Sequence, residues 1–91
     1  MIMISIVCPV FNEAAVIDKF IDAISKVMAS INEEYELLFV NDGSTDDTLS
    51  VLVAEQKKTP TIKIIDFSRN FGKEAALTAG LDHARGDAVI P

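Results

Sequence analysis

The groups best suited to gripping a charged ligand fall in three short polar segments: Pro9-Val10-Phe11-Asn12-Glu13, Asn41-Asp42-Gly43-Ser44-Thr45-Asp46 and Ser68-Arg69-Asn70-Phe71-Gly72-Lys73. Asp42 offers a carboxylate, an acceptor-only group. Arg69 brings a planar fork of donors and Lys73 a point charge, and both suit phosphate oxygens. Gly72 allows a backbone to come close to a ligand. Each also has a plainer reading. Asn-Asp-Gly-Ser is ordinary turn chemistry, Glu13 stands where a helix dipole favours a carboxylate, and Arg69 with Lys73 fits a solvated loop ahead of a helix. Asp46 and Asp47 read as first-turn dipole partners on a solvated face. His83, beside Asp82 and Arg85, has no second His or Cys with which to hold a metal.

The segments that must position these groups alternate in pattern. Met3 to Cys8 is a continuous apolar run, as in strands covered on both faces. Val16, Ile17, Phe20, Ile21, Ile24, Val27, Met28 and Ile31 recur at three or four residues, which predicts one inward helix face, with Asn12 as its N-cap. Glu36 to Val40 is a second strand. A helix with Leu49, Leu52 and Val53 inward follows, and Ser44 and Asp47 stand at capping-box spacing. Ile62 to Phe67 is the third strand. The third helix presents Ala76, Leu77, Leu81 and Ala84, ending at Arg85-Gly86 with Gly in the left-handed position. Ala88-Val89-Ile90 opens a fourth strand that reaches Pro91.

The order β-α-β-α-β-α-β predicts an α/β fold: a three-layer, doubly wound, mostly parallel sheet with right-handed crossovers and strand order 3-2-1-4. All three polar segments follow strands directly, so a parallel sheet brings them to one edge. Ligands bind at that edge, near the switch between the first and fourth strands. No G-x-G-x-x-G follows the first strand and no Walker A motif occurs, which disfavours an ordinary dinucleotide or P-loop site.

Composition narrows the function classes. The 91 residues are 49% hydrophobic, with four Gly and three Pro, a globular balance for one domain or part of one. A net charge of −6 with scattered basic residues argues against nucleic acid and gives no polybasic handle for an anionic membrane surface. The single cysteine, Cys8, cannot form an internal disulfide. It lies in an apolar run and reads as inert packing, in keeping with a reducing cytosol. The first residues lack a basic signal-peptide region, and Pro9 interrupts the apolar run before it could span a membrane.

Ile6-Val7-Cys8-Pro9-Val10-Phe11-Asn12-Glu13 and Val40-Asn41-Asp42-Gly43-Ser44-Thr45-Asp46-Asp47-Thr48 resemble the opening of family 2 glycosyltransferases, which have the nucleotide-sugar-binding GT-A fold. Ser68-Arg69-Asn70-Phe71-Gly72-Lys73-Glu74-Ala75-Ala76 is similar to the branch that transfers a sugar to a polyprenyl phosphate, such as bactoprenol glucosyltransferases and dolichol-phosphate mannosyltransferases. The resemblance covers essentially the whole chain. It implies that residues 1–91 are the N-terminal, nucleotide-sugar-binding part of a GT-A domain.

It further implies inverting transfer from a UDP-sugar to a polyprenyl phosphate, in cell-envelope biogenesis at the cytoplasmic face of a membrane. By the same resemblance Asp42 takes the imide N–H of uracil. Phe11 and Arg69 lie near the base, Glu13 near the nucleotide, and Lys73 near a nucleotide or acceptor phosphate, with Pro9 and Gly72 in the same loops. The family's Mg²⁺ or Mn²⁺ ligands, its catalytic residues and any membrane helices are expected beyond Pro91. The 91-residue piece is therefore expected to be soluble and without transfer activity of its own. Two other readings stand beside this one: a family 2 transferase acting on a polysaccharide or other glycan, and a non-catalytic receiver-like α/β module.

Overall fold

The computed structural model describes the backbone of residues 2–90 and the side chains through Asp87. Met1 and Pro91, which bound the first and last apolar runs, lie outside the described residues. Seven elements alternate along the chain: β1 (Met3–Val10), α1 (Ile17–Ile31), β2 (Glu34–Asp42), α2 (Thr48–Lys58), β3 (Ile62–Phe67), α3 (Lys73–His83) and β4 (Ala88–Ile90). The four strands form one sheet in the order β3-β2-β1-β4, and every pairing is parallel. The expected fold class and strand order are both found.

Alternation along the strands sorts the two faces. Ile4, Ile6, Cys8 and Val10 of β1, Leu37 and Phe39 of β2 and Ile62 of β3 form one cluster with Ile17, Ile21 and Met28 of α1 and Leu52 of α2. The opposite face carries Ser5, Val7, Leu38 and Val40 and receives α3. Helices α1 and α2 lie on one side because β1→β2→β3 steps one way across the sheet. The chain then reverses to β4, and a right-handed crossover puts α3 on the other side. Cys8 sits within the larger cluster, where burial pushes its thiol up to about 12, a packed and unreactive side chain.

The α3 face is narrow. Ala76 and Gly80 are its buried residues, and a Cβ built on Gly80 would run into Val7, so the helix rides close to the sheet. Leu81, expected inward, is exposed. What the small face lacks in apolar contact is supplied by polar attachment at the helix's ends. At the far end, Glu36 is 2% exposed. Its Oε2 accepts the Ser5 hydroxyl at 2.5 Å and the Arg85 N–H at 2.8 Å. Ser5 Oγ in turn accepts the Gly86 N–H at 2.7 Å. A Cβ on Gly86 would lie 2.6 Å from Ser5 Oγ. The smallness of Gly86 therefore serves close packing, and not the left-handed cap expected from Arg85-Gly86: α3 ends at His83 with an extended Ala84.

Two other expected helix ends differ. Asn12 does not cap α1, whose N-cap is Val16 with no side-chain hydrogen bond. Ser44 and Asp47 do not form a capping box; Asp47 is the N-cap of α2 and makes no side-chain cap bond. In both cases a tertiary partner takes the polar side chain first, as the site shows. The apolar stripe of α1 is wider than its buried face, and Val16, Phe20, Val27 and Ile31 are exposed. Val53 of α2 is exposed as well.

Candidate functional site

The three polar segments meet at the carboxyl edge of the sheet, held together by side-chain-to-backbone bonds. Asn12 has a left-handed φ of 53°, a conformation Asn tolerates better than most residues. From there its Oδ1 accepts the N–H groups of Thr45 at 2.8 Å and Asp46 at 3.2 Å. Its own N–H donates to Ser44 Oγ at 2.9 Å. The Ser44 hydroxyl donates to Asn41 Oδ1, and Asn41 Nδ2 donates to Asp66 Oδ1 at 2.9 Å. Asn41 and Asp66 are register partners on neighbouring parallel strands, so they share a face. One chain of bonds thus crosses the ends of β1, β2 and β3.

Glu13 N–H donates to Thr48 Oγ1 at 2.9 Å. Asp46 bonds to the hydroxyl of Thr48, to the Thr48 N–H at 2.9 Å and to the Ala14 N–H at 3.3 Å. The Thr48 hydroxyl is the main cause that holds the Asp46 carboxyl below the usual carboxylate range; slight desolvation opposes it, and the Thr48 and Ala14 amides add to it. Asp46 is thus a bridge between the first two segments rather than only a dipole partner. A carboxyl with a depressed folded pKa contributes stability that is complete above its unfolded value, about 3.9, and is lost as pH falls through the folded value. Stability is therefore expected to fall below about pH 4 less steeply in Asp46→Asn than in the unaltered chain, as read by urea unfolding at pH 6 and pH 3. Identical pH dependence in the two proteins would remove Asp46 from the clamp.

The second and third segments touch more closely still. Gly43 has φ +70°, and a Cβ there would overlap the backbone of Arg69 and Asn70. Asp42, next to it, is 5% exposed. Its Oδ1 accepts the Phe71 N–H at 2.8 Å and its Oδ2 the Gly72 N–H at 3.1 Å. Gly72 has φ +101°, with open space where a Cβ would stand.

The expected site residues separate into two neighbouring groups. Pro9, Glu13 and Lys73 line a groove of about 640 Å³ between β1, α1 and α3, with Val16, Phe20 and Leu77 among its apolar walls. Asp42, Arg69 and Gly72 gather around the third loop, where the Arg69 guanidinium lies 4.7 Å from the centre of the Phe71 ring. Phe11 is exposed on the first loop. Among the described residues the ion pair is Lys26 with Asp22, so Arg69 and Lys73 have no carboxylate at salt-bridge distance. Among the described residues no three His, Cys, Asp or Glu side chains are grouped to hold a metal ion, and no residue here is assigned to one. Sequence reasoning missed Asn41, Ser44, Thr48 and Asp66 as loop ties. Their one signal was polar type at the next-to-last strand position, in the turn after β2 or at the first residue of α2.

A doubly wound parallel sheet with three interlocked polar loops over its carboxyl edge, the third of them carrying the cations Arg69 and Lys73, is an α/β arrangement of the kind that binds ligands at its switch point. The chain belongs to glycosyl transferase family 2, whose family model matches residues 5–91. It is 49% identical over 89 residues to the uncharacterized glycosyltransferase YkcC of Bacillus subtilis (strain 168), covering 98% of this chain and 28% of that protein. It is 49% identical over 88 residues to the bactoprenol glucosyl transferase of Shigella phage SfV, covering 97% of this chain and 29% of the relative. Among solved structures it resembles the mannosyltransferase PcManGT from Pyrobaculum calidifontis in complex with GDP-Man and Mn²⁺. The TM-score is 0.85 at 27% identity, over 97% of this chain and 26% of that one. The chain therefore spans under a third of the length of these relatives, and the GT-A fold expected from the motifs is the one found.

Proposed function

We propose that residues 1–91 form the nucleotide-gripping half of a GT-A domain, in a protein that transfers a sugar from a UDP-sugar to a polyprenyl phosphate with inversion. The observation that carries this reading is the interlocked rim: one buried carboxylate at its centre and two unpaired cations beside it. The two loop amides take one lone pair from each Asp42 oxygen, and a carboxylate oxygen accepts up to two bonds. A remaining lone pair of Asp42 receives the imide N–H of uracil. Arg69 and Phe11 flank the base, Glu13 and Pro9 border the nucleotide, and Gly72 admits its close approach. Lys73, in the lining of the groove, faces a phosphate of the donor or of the acceptor. Fixed cations that meet charge growing on a leaving nucleoside diphosphate stabilise the transition state without reorganising. A phosphate monoester acceptor is largely ionised at pH 7, its second pKa being about 6, so it needs little help from a general base.

The bactoprenol glucosyl transferase relatives support the lipid-phosphate acceptor, and with it a place at the cytoplasmic face of a membrane. Among the described residues no helix is long and apolar enough to cross one. The donor base is the part most open to test, because the similar mannosyltransferase is complexed with GDP-Man. Calorimetric titration of UDP and GDP into the protein is expected to give at least tenfold tighter binding of UDP. Equal or inverted affinities would overturn the uridine assignment, and no binding of either nucleotide would overturn the site.

A further inference from the structure

We infer that Phe71 is a positioning residue for Arg69: its ring holds the guanidinium where the nucleotide meets it. The inference rests on the nucleotide reading above and assigns a role to a residue that the motifs left as filler. Phe71 is 50% exposed. Yet the residue is fixed on three sides. Its N–H is bound to Asp42 at 2.8 Å. Its ring meets Phe67 edge to face, with centroids 5.4 Å apart and planes at 86°. The Arg69 Cζ lies over the ring at 4.7 Å, well within cation–π range. Phe67 is itself the last residue of β3 and the register partner of Asp42. The ring is thereby tied to the sheet through both its backbone and its edge.

An exposed Arg has many rotamers to lose when it grips a ligand. Attraction to a ring face consumes none of its N–H donors, so the guanidinium can be held in place and remain free to bond. Phe71 therefore couples a charged group of the second loop to one of the third. Its amide answers to the Asp42 carboxylate, and its ring sets the Arg69 cation a fixed distance away.

Four variants of the 91-residue chain test this: Phe71→Leu, Phe71→Trp, Arg69→Ala and the double change Arg69→Ala with Phe71→Leu. The side chain at position 71 is half exposed and outside the buried core, and Phe71→Trp restores an aromatic face. Proton resonances of the Arg69 side chain are expected upfield by ring current in the unaltered chain and in Phe71→Trp, and at ordinary positions in Phe71→Leu. UDP affinity is expected to fall about two- to fivefold in Phe71→Leu, the range of an exposed cation–π contact, and to be kept in Phe71→Trp. In the Arg69→Ala background Phe71→Leu is expected to cost nothing further, because coupled residues are not additive. Additive losses would overturn the proposal by showing that Phe71 meets the ligand itself, and so would Arg69 resonances indifferent to position 71. An absence of UDP binding by the unaltered chain would overturn the nucleotide reading, while the ring-current comparison would still decide whether Phe71 places Arg69.

Discussion

Replacing Gly43 by Ala is expected to destabilise the protein by about 3 kcal/mol. Roughly 1–2 kcal/mol arises from a left-handed backbone that a Cβ disfavours, and about 1–3 kcal/mol from overpacking. The added methyl has nowhere to go, since its neighbours are the main-chain atoms of Arg69 and Asn70 and no rotamer change relieves the overlap. Native stability for a chain of this size is roughly 0.05–0.15 kcal/mol per residue, so the loss is a large fraction of the whole. Relief comes only by moving the third loop away from the second, and UDP affinity is expected to fall along with stability. Urea unfolding measures the first and calorimetry the second. A Gly43→Ala protein within about 0.5 kcal/mol of the original would mean that the two loops do not approach as described.

Asp42→Ala is the second large effect. It removes the acceptor for the Phe71 and Gly72 N–H groups together. A hydrogen bond to a charged group is worth about 1.5–3 kcal/mol, so stability is expected to drop by about 2 kcal/mol or more and UDP affinity at least tenfold. Asp42→Asn keeps one acceptor oxygen but turns an NH2 toward the other amide, and is expected to fall between the two. If Asp42 also takes the uracil imide, the affinity lost by UDP exceeds that lost by GDP. Unchanged UDP affinity in Asp42→Ala would remove Asp42 from the nucleotide site, and unchanged stability would remove it from the clasp on the third loop.

The alternation of apolar runs with helical spacing was enough to read the element order, the parallel sheet and its strand order, because long-range burial and crossover handedness leave few arrangements. The edge on which the site lies followed from the same logic. What the residues did not disclose was who bonds to whom. Asn12 is a good N-cap by type, yet a partner 33 residues away takes its side chain; local propensity lost to a tertiary bond. Ser44 was diverted in the same way to Asn41 and Asn12. Glu36 passed as one more strand residue, since a carboxylate at the start of a run gives no sign that a serine and an amide will enclose it. Gly86 was read by its conformational freedom when its lack of bulk was the reason for it. Half the stripe of α1 is exposed, a feature that spacing alone cannot foresee, because periodicity identifies an apolar face but not what covers it.

Asp42 and Glu36 belong to one face of one strand, and they clasp the chain just before and just after α3. Strand β2 therefore acts as a gauge for the helix's length. One inserted residue would lengthen α3 by about 1.5 Å and rotate everything beyond it by about 100°, which neither carboxylate could follow while the other held. Sequences that drift in length at this helix should lose one clasp or the other. The turn after α1, closed by a left-handed Asn32, shows no such double tether among the described residues, and an inserted or deleted residue should be better accommodated there.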